Sequence, residues 1–236
     1  MRSRIVRTAG VATALAAAAL LAGCSFGGTG AGTAPDPIPS ADGPLPSGVE
    51  GAAHFDDFAL VVGDGDTRVD LYLDPACPHC AHFEETAGGL LAELVDDGEI
   101  TYSVHPLTFM DRVSTTAYSS RASSAMTCVA VEQPDALLDF IERVFANQPS
   151  DEEGLGDDRI AELAAETGAA ELDCIDGAPY AAWARAGNDR ALEGPIDGAE
   201  VERIEGTPTL LVNGVKYEGD VTDLPAITDF VESGGR

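Results

Sequence analysis

The stretch Asp74-Pro75-Ala76-Cys77-Pro78-His79-Cys80 decides how this chain is read. It follows an apolar alternation (Val69, Leu71, Leu73) and precedes a helical pattern, so one thiol stands at a helix N-terminus and the other one turn inside it. Unpaired N–H groups and the helix dipole favour negative charge at that end. The Cys77 thiol should therefore ionise below the roughly 8.5 of free cysteine. Pro78 suits a first helical turn because it needs no N–H and presets φ, and His79 can donate to, or lie near, the same sulfur. A stabilised thiolate makes the matching disulfide a stronger oxidant. Cys77 is then the exposed nucleophile and Cys80 the thiol that resolves mixed disulfides. The rival readings are an inert bridge and half of a zinc site. Zinc needs four ligands; there is no second Cys-x-x-Cys, and His54, His82 and His105 are scattered, so no metal is expected.

Around this stretch strands and helices alternate. Phe58–Val62 and Thr67–Leu73 read as strands separated by a Gly-Asp-Gly-Asp turn. A helix is predicted from Pro78 to about Val95, weakened or bent at Gly88-Gly89, and a third strand over Glu99–His105. From about 113 to 193 the composition turns helical, with predicted helices at Thr115–Val131, Asp135–Ala146, Asp157–Thr167 and Pro179–Leu192. Thr209–Val212, an Asn213-Gly214 turn and Val215–Tyr217 read as a hairpin, and a last helix spans about Thr222–Val231. The fold class is α/β with a helical insertion.

The N-terminal 23 residues read as a secretory signal: Arg2, Arg4 and Arg7, then an apolar run too short to span a bilayer. Leu21-Ala22-Gly23-Cys24 resembles the lipobox of bacterial lipoproteins, which implies a lipid on Cys24; the alternative is an ordinary signal peptide. Residues 24–48 would be the lipidated Cys and a tether. Eleven of the twenty-four residues from Ser25 to Gly48 are Gly or Pro, which cannot build a core. The folded domain is expected over 49–236. Loss of the three signal arginines takes the formal charge from −28 to −31. Such acidity excludes nucleic-acid binding, which needs clustered Lys and Arg, and electrostatic docking on anionic lipid. Of the four remaining cysteines, proximity pairs Cys77 with Cys80 and leaves Cys128 with Cys174. The latter pair is expected to be a structural disulfide, against a second electron relay or two buried thiols.

Three features together resemble the DsbA-like branch of the thioredoxin superfamily over roughly Phe58–Glu232. They are the Cys77-Pro78-His79-Cys80 motif, the segment Gly206-Thr207-Pro208-Thr209 before Leu210-Leu211-Val212, and the helical block between them. The resemblance implies a thioredoxin-like fold with a helical insertion and a cis Thr207–Pro208 bond beside the redox pair. The backbone of Thr207 and Pro208 would be free to bind an extended substrate. It implies a monomeric thiol:disulfide oxidoreductase at the extracytoplasmic face of a bacterial membrane, without organic cofactor. Its partners would be thiol-containing exported polypeptides and a quinone-linked membrane protein that recycles it. Two departures bear on mechanism. Thr207 before the proline matches reductase and isomerase branches, which keeps reduction of exported proteins such as apocytochromes open beside oxidation. Leu71 takes the strand position where DsbA has a buried Glu; Asp74 either replaces it or is a turn-capping residue. A binding lipoprotein that holds peptides or a metal is the reading from another class.

Overall fold

In the computed structural model, which describes residues 44–170 and 172–236, the chain folds around a seven-stranded sheet. The strands are β1 (Val49–Glu50), β2 (Ala53–His54), β3 (Ala59–Val62), β4 (Thr67–Leu73), β5 (Ile100–Pro106), β6 (Thr209–Val212) and β7 (Val215–Lys216), in the order β1-β2-β3-β5-β4-β6-β7. Only β4 and β5 pair in parallel, from Thr67↔Ile100 to Leu73↔Pro106. The signal segment 1–23, Cys24 and the tether as far as residue 43 lie outside the described residues.

Strand alternation divides the two faces of the sheet. Val69, Leu71 and Leu73 of β4, with Ile100, Tyr102 and Val104 of β5, enter the larger core. Tyr72 and Leu211 face the other way, into a smaller cluster with Leu107, Ala191 and Ile204. On that second face His105 lies between the Phe58 carbonyl (3.1 Å) and Asp70 (3.3 Å), stacked on Tyr72 at 4.1 Å between ring centroids.

The helix following β4 is continuous but not uniform. It runs as α1 (Pro78–Phe83), one π turn (Glu84–Gly88) and α2 (Gly89–Asp96). At Gly88 a Cβ would lie 2.6 Å from Glu84 Oε2, so the glycine leaves room for that carboxyl to fold back. The N-terminal strand predicted from Phe58 begins instead at Ala59. Phe58 has φ 52° and closes a 3-10 turn over Phe55–Asp57, a left-handed conformation its aromatic character did not suggest. The Asn213-Gly214 turn has φ 50° and 82°, as a type I′ hairpin requires.

Between β5 and β6 come α3 (Tyr118–Glu132), α4 (Leu137–Ala146), α5 (Asp157–Glu166) and α6 (Ala181–Glu193); α7 (Leu224–Glu232) closes the chain. Every residue of α3 from Tyr118 to Ala130 is buried, although five carry hydroxyls on Ser or Thr. Those groups are bonded: Ser119 to Asp74, Ser120 to Asp111, Ser123 to the Leu107 carbonyl and Thr127 to the Ser123 carbonyl, while Ser124 accepts from the Tyr180 N–H. Buried Arg121 donates to Asp157 and to the Leu155 carbonyl. Satisfied in this way, a polar helix can sit at the centre of the block.

The sulfurs of Cys128 in α3 and Cys174 are bonded, with Cα atoms 5.7 Å apart. Replacing both with Ala opens a loop across 46 residues of sequence and should lower stability by about 2–4 kcal/mol, measured as an earlier urea midpoint.

Candidate functional site

The redox loop is built where β4 ends. Cys77 is the N-cap of α1 in extended conformation (φ −80°, ψ 119°), Pro78 is the first helical residue, and the Cys77 carbonyl accepts from the N–H of Cys80 at 3.0 Å and of Ala81 at 3.2 Å. Both cysteines are free thiols here. Cys77 is 7% exposed and Cys80 1%. Cys77 is the less buried of the two, but it is largely covered where an exposed thiol was expected. The cover includes the loop before β6: the Thr207–Pro208 bond is cis, and the Cys77 thiol donates to the Thr207 carbonyl at 3.4 Å. Residues distant in sequence are thereby brought together.

The two sulfurs are driven apart electrostatically. Cys77 is lowered to about 5, chiefly because the Cys80 thiol donates to its sulfur; burial opposes this, and Thr207 and the N–H groups of Cys80 and His79 assist. Cys80 is pushed well above the ordinary thiol range, first by burial and then by its bond to Cys77. His79 acts here through its backbone N–H. Its imidazole is exposed and stands edge-on to His82 with ring centroids 6.3 Å apart.

Two buried carboxyl groups lie within a few residues of the pair in sequence, one before it and one after it. Asp74 is 0% exposed, and its backbone N–H donates to Cys80 Sγ at 3.4 Å. Its carboxyl accepts from the Ala76 N–H (2.8 Å), the Met110 N–H (2.8 Å) and the Ser119 hydroxyl (2.6 Å). Burial raises its pKa to about 6 against the lowering effect of those three donors. It is therefore both a turn-capping residue and a buried acid at the site, while Leu71 is fully buried in the core. The second acid, Glu84, was not anticipated. Its N–H closes the α-helical turn onto the Cys80 carbonyl, so the two side chains share a helix face. Burial, with the Glu142 charge, lifts Glu84 to about 8, and its Oε1 has no hydrogen-bond partner. The spacing Cys80, Glu84, Ala87, Leu91 already traced the apolar stripe; a carboxyl on that stripe was the available signal.

Beside the cis bond a depression of about 630 Å³ is lined by Gly206, Thr207, Pro208, Arg203, Lys216 and neighbouring glutamates. Among the described residues no group of three His, Cys, Asp or Glu side chains converges to hold a metal. The arrangement supports disulfide exchange: an acidic thiol beneath the cis-proline loop, a second thiol behind it, and a buried acid, Asp74, that titrates near neutrality.

The Thioredoxin family model matches residues 59–226. The serine/threonine-protein kinase PknE of Mycobacterium tuberculosis is 32% identical over 117 residues, 46% of this chain and 21% of the kinase. The chain thus spans about a fifth of the length of the curated relatives it matches. Among solved structures, reduced DsbA of M. tuberculosis is 27% identical, with TM-score 0.58 and coverage of 75% of this chain and 98% of that one. The reduced disulfide bond oxidoreductase DsbG of the same organism is 26% identical, with TM-score 0.58 and coverage of 75% and 94%.

Glu84 gives the site a pH signature. Its folded pKa, about 8, lies above the ordinary 4.5, so the native state holds a proton that the unfolded chain releases between those values. Stability then falls as pH rises through that window and levels off above it. Glu84→Gln should flatten this dependence and be more stable than the parent at pH 9, by on the order of a few kcal/mol, read from denaturant midpoints across a pH series.

Proposed function

This chain belongs to the thioredoxin family, and from that premise we propose that it is a DsbA-like thiol:disulfide oxidoreductase working as an oxidant on exported polypeptides. The observation that carries the reading is the placement of Cys77 as the cap of α1 against the cis Thr207–Pro208 loop, with Cys80 one turn behind it, an arrangement that lowers the Cys77 thiol and raises that of Cys80. A thiolate this stable is a good leaving group, and a stabilised reduced form drives the disulfide form to oxidise others.

In the cycle, a client thiolate attacks Cys77 Sγ of the Cys77–Cys80 disulfide. The S–S bond breaks, its electron pair leaves with Cys80, and a client–Cys77 mixed disulfide forms. Cys80 then needs a proton. Asp74, whose pKa is raised to about 6 and whose N–H already meets Cys80 Sγ, is the acid placed to exchange it. A second client thiolate attacks the client sulfur of the mixed disulfide, and Cys77 departs as a thiolate. The client is left oxidised by two electrons and the enzyme reduced. Thr207 and Pro208 present backbone to the extended client. No organic cofactor enters these steps.

We infer further that the protein is held outside the cytoplasm by a lipid on Cys24 and reoxidised by a quinone-linked membrane partner. The Leu21-Ala22-Gly23-Cys24 sequence supports the anchor, and among the described residues no helix is long and apolar enough to cross a membrane. A second reading, reduction of particular exported proteins, is favoured by Thr207 before the cis proline.

Cys77→Ala should abolish oxidation of reduced hirudin, while Cys80→Ala, given disulfide-bonded hirudin whose S–S bond its Cys77 thiolate can open, should accumulate a mixed disulfide visible on non-reducing gels; unchanged turnover in Cys77→Ala would remove the thiol mechanism. Titration against glutathione separates the two directions. A potential near about −120 mV supports the oxidant and one near about −270 mV the reductant. Cys24→Ala is expected to shift the protein from the membrane fraction to the medium or soluble fraction.

A further inference from the structure

Beyond covering the sheet, the helical block takes hold of the redox loop. Gln148, just past the end of α4, is half-buried. Its side-chain amide donates across to the loop, to the Pro75 carbonyl at 2.9 Å and the Cys77 carbonyl at 3.0 Å. Pro75 is buried, and a buried carbonyl requires a donor. The Cys77 carbonyl already serves the first turn of α1, so Gln148 adds a side-on bond at the point where loop becomes helix. The two bonds straddle Ala76 and thus span the two residues that aim the Cys77 side chain. Gln148 is itself braced: its backbone N–H donates to the Phe145 carbonyl at 3.1 Å. The adjacent Asn147 donates to the Arg143 carbonyl at 2.9 Å and accepts from Arg159 of α5 at 3.1 Å.

We propose that Gln148 is a positioning residue for Cys77. By bonding the carbonyls of Pro75 and Cys77 it keeps the entry to α1 set, so that the N–H groups of His79 and Cys80 stay aimed at the Cys77 sulfur. The proposal rests on the oxidoreductase reading for its use but on the hydrogen bonds for its content. Without the clamp the loop is free to pivot about Ala76, the sulfur loses part of its donor set, and the thiolate is less stable. A less stable thiolate also makes a weaker oxidant. Ser119 and Met110 secure the other end of the loop through Asp74, so removal of Gln148 loosens the Cys77 end alone.

The test is iodoacetamide alkylation of the reduced full chain across a pH series, for the parent, Gln148→Ala and Gln148→Glu. The glutamate keeps the shape but faces the two carbonyls with acceptors in place of donors. The expected result is a midpoint raised by about half to one pH unit in Gln148→Ala and by more in Gln148→Glu. The equilibrium constant against glutathione should fall by roughly three- to tenfold with it. Melting temperatures taken alongside separate positioning from packing. A variant that melts lower yet alkylates with the parental midpoint overturns the proposal, and so does an unchanged midpoint at unchanged stability. The midpoint needs no client, so absence of hirudin oxidation in the parent would strike the oxidoreductase reading while this measurement still decides the clamp.

Discussion

The opposed ionisation of two neighbouring thiols is the constraint the site depends on. Cys80 is buried too deeply to ionise easily, and by keeping its proton it donates to Cys77, which then ionises well below a free thiol. The bond works only if the two sulfurs lie one turn apart at a helix start, if water is kept from the inner one, and if the outer one is left a path to a client. Each larger feature meets one of these needs. The β4–α1 junction sets the spacing, the core behind α1 dries Cys80, and the loop at Thr207 brings a backbone carbonyl to Cys77.

That geometry is over-determined from the side of the helical block. Asp74 accepts three hydrogen bonds, one from the loop itself, one from the segment after β5 and one from α3. Such a carboxyl ties three elements to one point. The hydroxyl-lined α3 is the other half of the arrangement, since it brings Ser119 to Asp74 without admitting water and is anchored at its far end by the Cys128–Cys174 bridge.

The frame was legible in the sequence wherever one local rule dominated. Alternation marked β4, the Asn213-Gly214 pair marked the hairpin, and Cys-Pro-His-Cys marked the start of α1. What could not be read depended on contacts across the chain. Gln148 meets the loop from 71 residues away, and nothing local distinguishes it from a surface glutamine. A helix carrying Ser119, Ser120, Ser123, Ser124 and Thr127 reads as solvated; only its partners show why it is buried. Glu84 stands between these cases: its place on the apolar stripe was visible, but charge ordinarily signals a surface, and its burial follows from the room left by Gly88. Phe58 misled in the opposite way, since an aromatic beside a β-rich run gave no warning of a left-handed residue.

Both outer strands of the sheet, β1 and β7, stop after two residues. An arriving polypeptide with unpaired backbone finds almost no ladder to extend there. Clients of the kind proposed above would meet little at these two edges to template their aggregation, and would leave when one sulfur–sulfur link is broken, with no strand to peel from β1 or β7.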